Sequence, residues 1–302
     1  MVIAGGGIAG LMAALAAARL GRKTLVLTGD VLGGLLLSID KVEGFPGFAD
    51  GIPGYDLCPM VQEQAVGAGA EFATTSLDGL ERRDDRWSIV SGNDRLLARS
   101  LILATGATLK ELGVAGEARL RGKGVSQCAS CDAPLVRNRP VAVVGGGDSA
   151  LQEALTLAET SSRVTVLVRG EKLSAQLAYR KRVAEHPKIE IRYNAVVEEI
   201  LGADKVSGVR IRDAARGAAV ELEVAALFVY IGLQPNTAFL NGPIKLDPSG
   251  RIPVDGRMRT ELRGVFAAGI ARSGSAGRAA ASAGDGTAAA IAADRYLADG
   301  DW

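Results

Sequence analysis

The sequence opens on MVIAGGGIAGLMAALAAARLGRKTLVLTGD, residues Met1 to Asp30, and this stretch decides the fold. Its pattern predicts a short strand, a glycine-rich turn, an alanine-rich helix and a second strand. The turn has the spacing Gly-x-Gly-x-x-Gly, at Gly5, Gly7 and Gly10. In that spacing the glycines allow a tight turn, the approach of a pyrophosphate to the backbone, and close packing of the helix on the strand. Asp30 follows Gly10 by 20 residues, where a carboxylate can hold a ribose hydroxyl. The stretch therefore predicts a dinucleotide-binding βαβ unit.

The same pattern recurs at RPVAVVGGGDSALQEALTLAETSSRVTVLVRGEK, residues Arg139 to Lys172. A strand again runs into a glycine-rich turn, a helix and a second strand. The candidate nucleotide-binding residues here are Gly145, Gly147, Ser149, Ala150 and Arg169. Two such units predict an α/β protein with two Rossmann-like nucleotide-binding domains. Electrons pass between paired dinucleotides in many enzymes, so the general class is flavin plus nicotinamide.

Two further apolar stretches predict strands that end in glycines. Residues 99–114, RSLILATGATLKELGV, run into Thr105 and Gly106, and residues 262–270, LRGVFAAGI, end beside Gly269. The carboxyl ends of parallel strands border the ligand site in such folds, so these glycines are expected beside a bound ligand. The last segment, SGSAGRAAASAGDGTAAAIAADRYL, is rich in glycine and serine at first and then predicts a long alanine-rich helix.

Composition excludes several other classes. A length of 302 residues predicts two domains, and 48% hydrophobic residues suffice for buried cores. Because 35 basic residues balance 34 acidic ones, nothing indicates binding to nucleic acid or to an anionic membrane. No apolar run is long enough to predict a membrane span. Only three cysteines are present, which predicts a reducing, cytoplasmic setting.

Two of those cysteines lie in GVSQCASCDAP, residues Gly124 to Pro134. Cys128 and Cys131 could form half of a zinc site, a structural staple or a redox dithiol. Zinc needs four ligands, and outside this motif only Cys58 and His186 remain, neither in a second paired motif. A staple that closes so short a loop removes little chain entropy. The motif therefore favours a redox dithiol and no metal, with Cys58 as a packed thiol.

The order of motifs resembles the low-molecular-weight thioredoxin reductases over nearly all of the chain. The resemblance rests on GGGIAG, GGLLLSIDKVEGFPG, ILATGA, CASCD, GGGDSALQEAL, YIGLQPNT and GVFAAG. It implies a homodimer with a discontinuous FAD domain, residues 1–110 and 242–302, and an inserted nicotinamide-type domain, residues 111–241. It implies that the FAD contacts are Gly5, Gly7, Gly10, Asp30, Gly33, Gly34, Thr105, Gly106, Gly269, Arg278 and Ala279.

The resemblance also assigns roles at the dithiol. Cys131 would face the flavin, Cys128 would attack a disulfide of a thioredoxin-like partner, and Asp132 would protonate the departing thiolate. The one histidine, His186, lies far along the chain from this motif. Proton transfer at the dithiol is therefore left to a carboxyl group. The alternative for Asp132 is a helix N-cap, and the two roles are compatible.

The chain departs from the family at the nicotinamide site. Family members carry His-Arg-Arg-x-x-x-Arg, whose arginines hold the 2′-phosphate of NADPH, whereas residues 168–174 read VRGEKLS and keep only Arg169. Asp148 also adds a negative charge beside the expected pyrophosphate. The sequence leaves two alternatives, NADPH as donor or an enzyme that uses ferredoxin or oxygen. A non-catalytic nucleotide-binding scaffold is a third, which the intact CASCD disfavours.

Overall fold

The structure is a computed structural model and describes residues 1–213, 217, 219–240 and 242–302. Its helices are α1 (Ile8–Arg19), α2 (Gly54–Gly67), α3 (Glu117–Leu120), α4 (Ala129–Asp132), α5 (Asp148–Thr160), α6 (Leu177–Glu185) and α7 (Ala279–Asp299). Its strands are β1 (Val2–Ala4), β2 (Leu25–Leu27), β3 (Glu71–Ala73), β4 (Gly79–Arg83), β5 (Arg86–Ser91), β6 (Asp94–Ala98), β7 (Leu101–Leu103), β8 (Ala107–Leu109), β9 (Val125–Ser126), β10 (Pro140–Val144), β11 (Arg163–Leu167), β12 (Ile189–Arg192), β13 (Ala195–Leu201), β14 (Gly208–Asp213), β15 (Ala219–Glu223), β16 (Ala226–Val229), β17 (Leu233–Pro235) and β18 (Val265–Ala267).

The chain divides into two compact units. Unit 1 consists of residues 1–108 and 234–302, and unit 2 of residues 109–233. The return to unit 1 comes before residue 242, the boundary expected from the sequence, because Leu240 is fully buried in the core of unit 1. Thr237 also donates its hydroxyl to the carbonyl oxygen of Gly250, at 2.6 Å. Unit 2 is thus an insertion in the chain of unit 1.

Unit 1 is built on a parallel sheet with the strand order β18-β7-β1-β2-β3. β1 lies in the middle, with Val2 opposite Leu25 on one side and opposite Leu101 on the other. The central strands are fully buried, as expected of a parallel sheet that is covered on both faces. A separate antiparallel sheet, β4-β5-β6, also belongs to this unit.

Unit 2 repeats the arrangement with the strand order β12-β11-β10-β16-β9, again parallel. β10 occupies the position that β1 has in unit 1, and its residues Val141, Ala142 and Val143 are completely buried. An antiparallel sheet of β13, β14 and β15 completes this unit. Each parallel sheet begins with the strand–turn–helix–strand segment that the sequence predicts, at β1-α1-β2 and β10-α5-β11. The predicted α/β class with two Rossmann-like domains is confirmed.

The predicted long helix near the carboxyl end is α7, which packs closely against α1. An added Cβ on Gly286 would lie 2.0 Å from the carbonyl oxygen of Ala9, so only glycine fits there. Four alanines, Ala283, Ala289, Ala290 and Ala293, are also buried on α7. These small residues let the backbones of the two helices approach each other. Among the described residues, no helix has the length and apolar character needed to cross a membrane.

The helix contact generates a stability prediction with a matched control. Gly286→Ala should lower the free energy of unfolding by about 2 kcal/mol, because the new methyl group overlaps the backbone of α1. Gly284 lies on the same helix, is exposed and has no atom within 4 Å of an added Cβ. Gly284→Ala should therefore raise stability by about 0.5 to 1 kcal/mol. Melting temperatures of the two variants check this, and equal shifts would contradict the packing argument.

Candidate functional site

The first glycine turn lies flush against the end of the sheet in unit 1. Gly5 has a φ of +120°, and an added Cβ would lie 2.1 Å from the carbonyl oxygen of Ala104, just after β7. An added Cβ on Gly10 would lie 1.8 Å from the carbonyl oxygen of Gly5. Neither position can carry a side chain, and the two contacts bring the start of α1 directly onto the turn.

Gly7 differs from its neighbours because it faces open space. Its φ is −76°, and no atom lies within 4 Å of an added Cβ. Gly7 is also the N-cap of α1, whose first turn has no acidic residue and no side-chain cap. The end of α1 that carries unpaired N–H groups therefore faces open space, an arrangement that suits a phosphate group.

A second pair of predicted residues, Gly33 and Gly34, lies beside this turn. Gly33 donates its N–H to the carbonyl oxygen of Gly6 at 2.8 Å, and both glycines have positive φ angles. An added Cβ on Gly34 would lie 3.7 Å from the Cα of Gly7. The structure therefore brings the predicted residues of the first turn and of the segment after β2 together.

Gly269 reaches the same region from β18. An added Cβ on it would lie 2.8 Å from Ala9 at the start of α1. Its N–H donates to Asp285 on α7 at 3.2 Å, and Asp285 also accepts two hydrogen bonds of 2.7 Å from Arg272. This buried ion pair fixes the segment after β18 against α7, a contact that the sequence did not indicate.

The remaining predicted FAD residues lie around this centre. Arg278 is the N-cap of α7, and Ala279 packs against the apolar cluster of Ile8. Thr105 donates its hydroxyl to the carbonyl oxygen of Asn236 at 2.7 Å. Asp30 is exposed just after β2 and makes no hydrogen bond or ion pair with the other described residues of the site. The cradle of glycines and free amides fits the pyrophosphate of a dinucleotide such as FAD.

The second glycine turn, in unit 2, follows the same plan with one difference. An added Cβ on Gly145 would lie 2.2 Å from the carbonyl oxygen of Tyr230, as the equivalent atom in unit 1 meets Ala104. Ala150 stands at the third position of the turn and is fully buried. Above Gly147, however, the Oγ of Ser174 lies 3.7 Å from an added Cβ, so part of the space is taken by the chain itself.

Asp148 turns its carboxylate toward the loop after β11. It accepts hydrogen bonds from the backbone N–H and the side-chain amide of Gln176, both at 2.7 Å. The loop is also held by Ser174, whose N–H donates to the carbonyl oxygen of Gly146 at 2.8 Å. The expected repulsion at the pyrophosphate is therefore moderated by two donors to the carboxylate. Ser149 and Arg169 are both exposed beside this turn.

The dithiol lies in unit 2, on the segment that follows the edge strand β9. Cys128 and Cys131 form a disulfide with an S–S distance of 2.08 Å and a Cα–Cα distance of 5.4 Å. Cys128 is the N-cap of α4, and its Sγ accepts the N–H of Cys131 at 3.3 Å. The N–H of Cys128 donates to the hydroxyl of Ser126 at 3.0 Å. Cys131 is exposed and Cys128 is half-buried, so both sulfurs are accessible to chemistry.

Asp132 ends α4 directly after Cys131 and is partly exposed. Asp132 occupies the N-cap position of the 3-10 helix Ala133–Val136, but its side chain makes no capping hydrogen bond there, and α4 is capped by Cys128. Its carboxyl group stays adjacent to the dithiol, where proton transfer remains the predicted role.

Cys58 belongs to unit 1, and His186 lies in unit 2 just after α6. Cys58 is completely buried on α2 with its Sγ 3.7 Å from the carbonyl oxygen of Gly33, and burial raises the pKa of its thiol to about 11. His186 ends α6 and its Nδ1 accepts the N–H of Lys188 at 3.3 Å. Among the residues described, no group of three or more His, Cys, Asp or Glu side chains could hold a metal ion.

One residue near the dithiol escaped the sequence analysis. The hydroxyl of Tyr230 accepts the N–H of Ala129, between the two cysteines, at 3.1 Å. Tyr230 follows the apolar strand β16 and reads as one more core residue in that run. The signal available was a polar-tipped aromatic residue at the end of a buried strand, next to a glycine turn.

Comparisons with known proteins agree with this geometry. Residues 1–286 match the family of pyridine nucleotide-disulphide oxidoreductases. A thioredoxin reductase of Treponema pallidum is 39% identical over 297 residues, which are 98% of this chain and 96% of the relative. One from Mycolicibacterium smegmatis is 39% identical over 302 residues, 100% of this chain and 97% of the relative.

Among solved structures, the thioredoxin reductase of Lactococcus lactis superposes with a TM-score of 0.95 at 35% identity, over 99% of this chain and 98% of that one. This chain carries both glycine turns and the CxxC-Asp motif. The chain therefore belongs to the pyridine nucleotide-disulphide oxidoreductase family and is a flavin-dependent disulfide oxidoreductase.

Proposed function

We propose that this enzyme reduces the disulfide of a thioredoxin-like protein through its own Cys128–Cys131 pair. The observation that carries the proposal is the geometry of the pair: a disulfide between an exposed and a half-buried cysteine, in which Cys128 caps α4 and a carboxyl group follows directly in the chain. The similarity to full-length thioredoxin reductases supports the choice of partner. An inert staple has no need of accessible sulfurs or of an adjacent acid.

The chemistry balances as an exchange of thiols and disulfides. With the pair reduced, the Cys128 thiolate attacks one sulfur of the partner disulfide and releases the partner's other sulfur as a thiolate. Asp132, in the role carried over from the family, gives that thiolate a proton. Cys131 then attacks the Sγ of Cys128, which restores the internal disulfide and releases the second partner sulfur. Two electrons reach the partner in each cycle, and bound FAD supplies them when it reduces the pair.

The two units would divide the work. Unit 1 would hold FAD, and the backbone around Gly7, Gly33, Gly34 and Gly269 would bind its pyrophosphate. Unit 2 offers its glycine turn, at Gly145 and Gly147, to a nicotinamide dinucleotide. The resemblance also supports a homodimer, and α2 exposes Tyr55, Met60 and Val66 as apolar side chains for such a contact. The few cysteines support a reducing, cytoplasmic setting.

The electron donor would not be held by its 2′-phosphate. Of the three arginine positions in the family motif, this chain keeps Arg169 and has Gly170 and Ser174 at the other two. Most of the positive charge for that phosphate is therefore missing. This observation favours a second candidate, in which ferredoxin or another donor reduces the flavin and the second turn has lost its nucleotide. Both candidates keep the dithiol reaction unchanged.

Removing one sulfur tests the dithiol reaction. Cys131→Ser should abolish reduction of a thioredoxin-type substrate while the protein retains FAD, because the internal disulfide can no longer form. It should also trap the partner on Cys128 as a mixed disulfide, which is visible on a non-reducing gel. Cys58→Ala is the control and should keep turnover, since that thiol is completely buried in the core of unit 1. Normal turnover in Cys131→Ser would overturn the mechanism.

The assignment of FAD to the first turn is tested by adding one methyl group. Gly7→Ala should fold, because its φ is −76° and its surroundings are empty, yet the methyl group should lower FAD affinity by about tenfold by keeping the pyrophosphate from the backbone. Gly147→Ala makes the same change in the second turn and should leave FAD bound. Flavin absorbance after dialysis compares them. Equal flavin content in Gly7→Ala and the wild type would contradict the assignment.

The donor is tested by anaerobic reduction of the flavin, followed by its visible absorbance. A charged hydrogen bond contributes about 1.5 to 3 kcal/mol, so the loss of two arginines should reduce the preference for NADPH over NADH by about 100-fold or more from what three arginines would give. Gly170→Arg should raise that preference, since its position is exposed with no atom within 4 Å of an added Cβ. A strong preference in the wild type would contradict this reading. Reduction by dithionite but by neither nucleotide would support the second candidate.

A further inference from the structure

Tyr230 lies where two neighbouring strands of unit 2 end. β16 pairs in parallel with β9, with Phe228 opposite Ser126. Two residues beyond this pair, one strand gives Tyr230 and the other gives Cys128. The hydroxyl of Tyr230 accepts the N–H of Ala129 at 3.1 Å, and Tyr230 is only 8% exposed. The register of the sheet thus sets the phenol ring directly beneath the dithiol segment.

The backbone of Tyr230 is fixed at the same time. Its N–H donates to the carbonyl oxygen of Val144 at 2.8 Å, at the end of the central strand. Its own carbonyl oxygen fills the space that a side chain on Gly145 would occupy. Tyr230 therefore cannot move without disturbing the glycine turn, and its hydroxyl is a rigid point of attachment.

The hydroxyl also keeps its proton. Burial, and then the negative charges of Glu153 and Asp132, raise the pKa of Tyr230 above its ordinary value, although the bond from Ala129 opposes this. A neutral phenol oxygen still accepts a hydrogen bond, and the Ala129 amide is buried away from water. Without the phenol, that amide would lack this acceptor, an unfavourable state for a buried N–H group.

This contact matters most when the disulfide is open. In the closed form, α4 is held by the S–S bond and by bonds within the motif, from the N–H of Cys131 to the Sγ of Cys128 and from the N–H of Asp132 to the carbonyl oxygen of Cys128. Reduction removes the covalent link. The bond to Tyr230 then has a larger share in keeping the segment folded, because it ties the segment to the rigid sheet.

We propose that Tyr230 is a positioning residue for the dithiol, whose buried hydroxyl holds the Ala129 amide and so keeps Cys128 and Cys131 placed for closure, which favours the disulfide form of the pair. The inference rests on the proposed function, because it assumes that this pair is opened and closed in the reaction. The residue concerned follows β16 and lies outside the dithiol motif itself.

The test is Tyr230→Phe, which removes the hydroxyl and keeps the ring. The purified protein is equilibrated in buffers of reduced and oxidised dithiothreitol, and the fraction of Cys128 and Cys131 in thiol form is measured by a mass-tagging reagent. One buried hydrogen bond corresponds to about fivefold in an equilibrium constant. Because the bond is made in the closed form and is lost when the open segment loosens, the variant should favour the dithiol by about fivefold. Hydrogen exchange of the peptide spanning residues 126–134 should quicken in the reduced variant.

Tyr179→Phe is the matched control. Tyr179 is also a buried tyrosine of unit 2, but its hydroxyl bonds to Gln152 at 3.1 Å instead of the dithiol segment. This control should leave the equilibrium of the pair within about twofold of the wild type. An unchanged equilibrium in Tyr230→Phe, or an equal shift in both variants, would overturn the inference. A wild-type pair that cannot be reduced at all would instead overturn the proposed function.

Discussion

Both glycine turns depend on a backbone carbonyl oxygen that occupies the place a Cβ atom would take. In unit 1 the carbonyl of Ala104 fills that space at Gly5, and in unit 2 the carbonyl of Tyr230 fills it at Gly145. Each oxygen comes from the residue just after the strand that neighbours the central one, β7 in one unit and β16 in the other. The contact presses the turn onto the edge of the sheet, so that the helix which follows begins where the strands end. In each unit, this one contact between a glycine and a carbonyl oxygen therefore sets the position of the helix end and of the candidate ligand site.

The patterns that predicted the fold are those with a strict local cause. Glycine spacing, buried strands and an alanine-rich helix each leave a mark within a few residues, so β1-α1-β2 and β10-α5-β11 could be predicted from the sequence. The contacts of Tyr230 with Ala129 and of Arg272 with Asp285 could not, because each joins residues that are brought together only by the sheet or by the packing of α7. Asp148 was expected to face a phosphate, and only the loop after β11 reveals the two donors that its carboxylate meets.

The two glycine turns differ in how much room they leave. Above Gly7 the space is empty, whereas Ser174 approaches Gly147 and the loop after β11 is bonded to the turn itself. The stretch that contributes Ser174, residues 168–174, has one arginine, Arg169. The dithiol segment of the same unit carries both cysteines, the adjacent Asp132 and the bond from Ala129 to Tyr230. The two turns are therefore built alike but differ in the open space beside them.

The close packing of α1 on α7 has a consequence for how the protein is made. α1 and its strands leave the ribosome early, but the surface that covers them is formed by β18 and α7, more than 150 residues later in the sequence. Unit 2 is continuous and can bury its core as soon as it emerges. During synthesis the inserted unit would thus be complete first, and the amino-terminal segment would have to stay unaggregated until its distant partner arrives. Chaperone dependence in cells would then be set by residues 1–108, not by the unit that carries the dithiol.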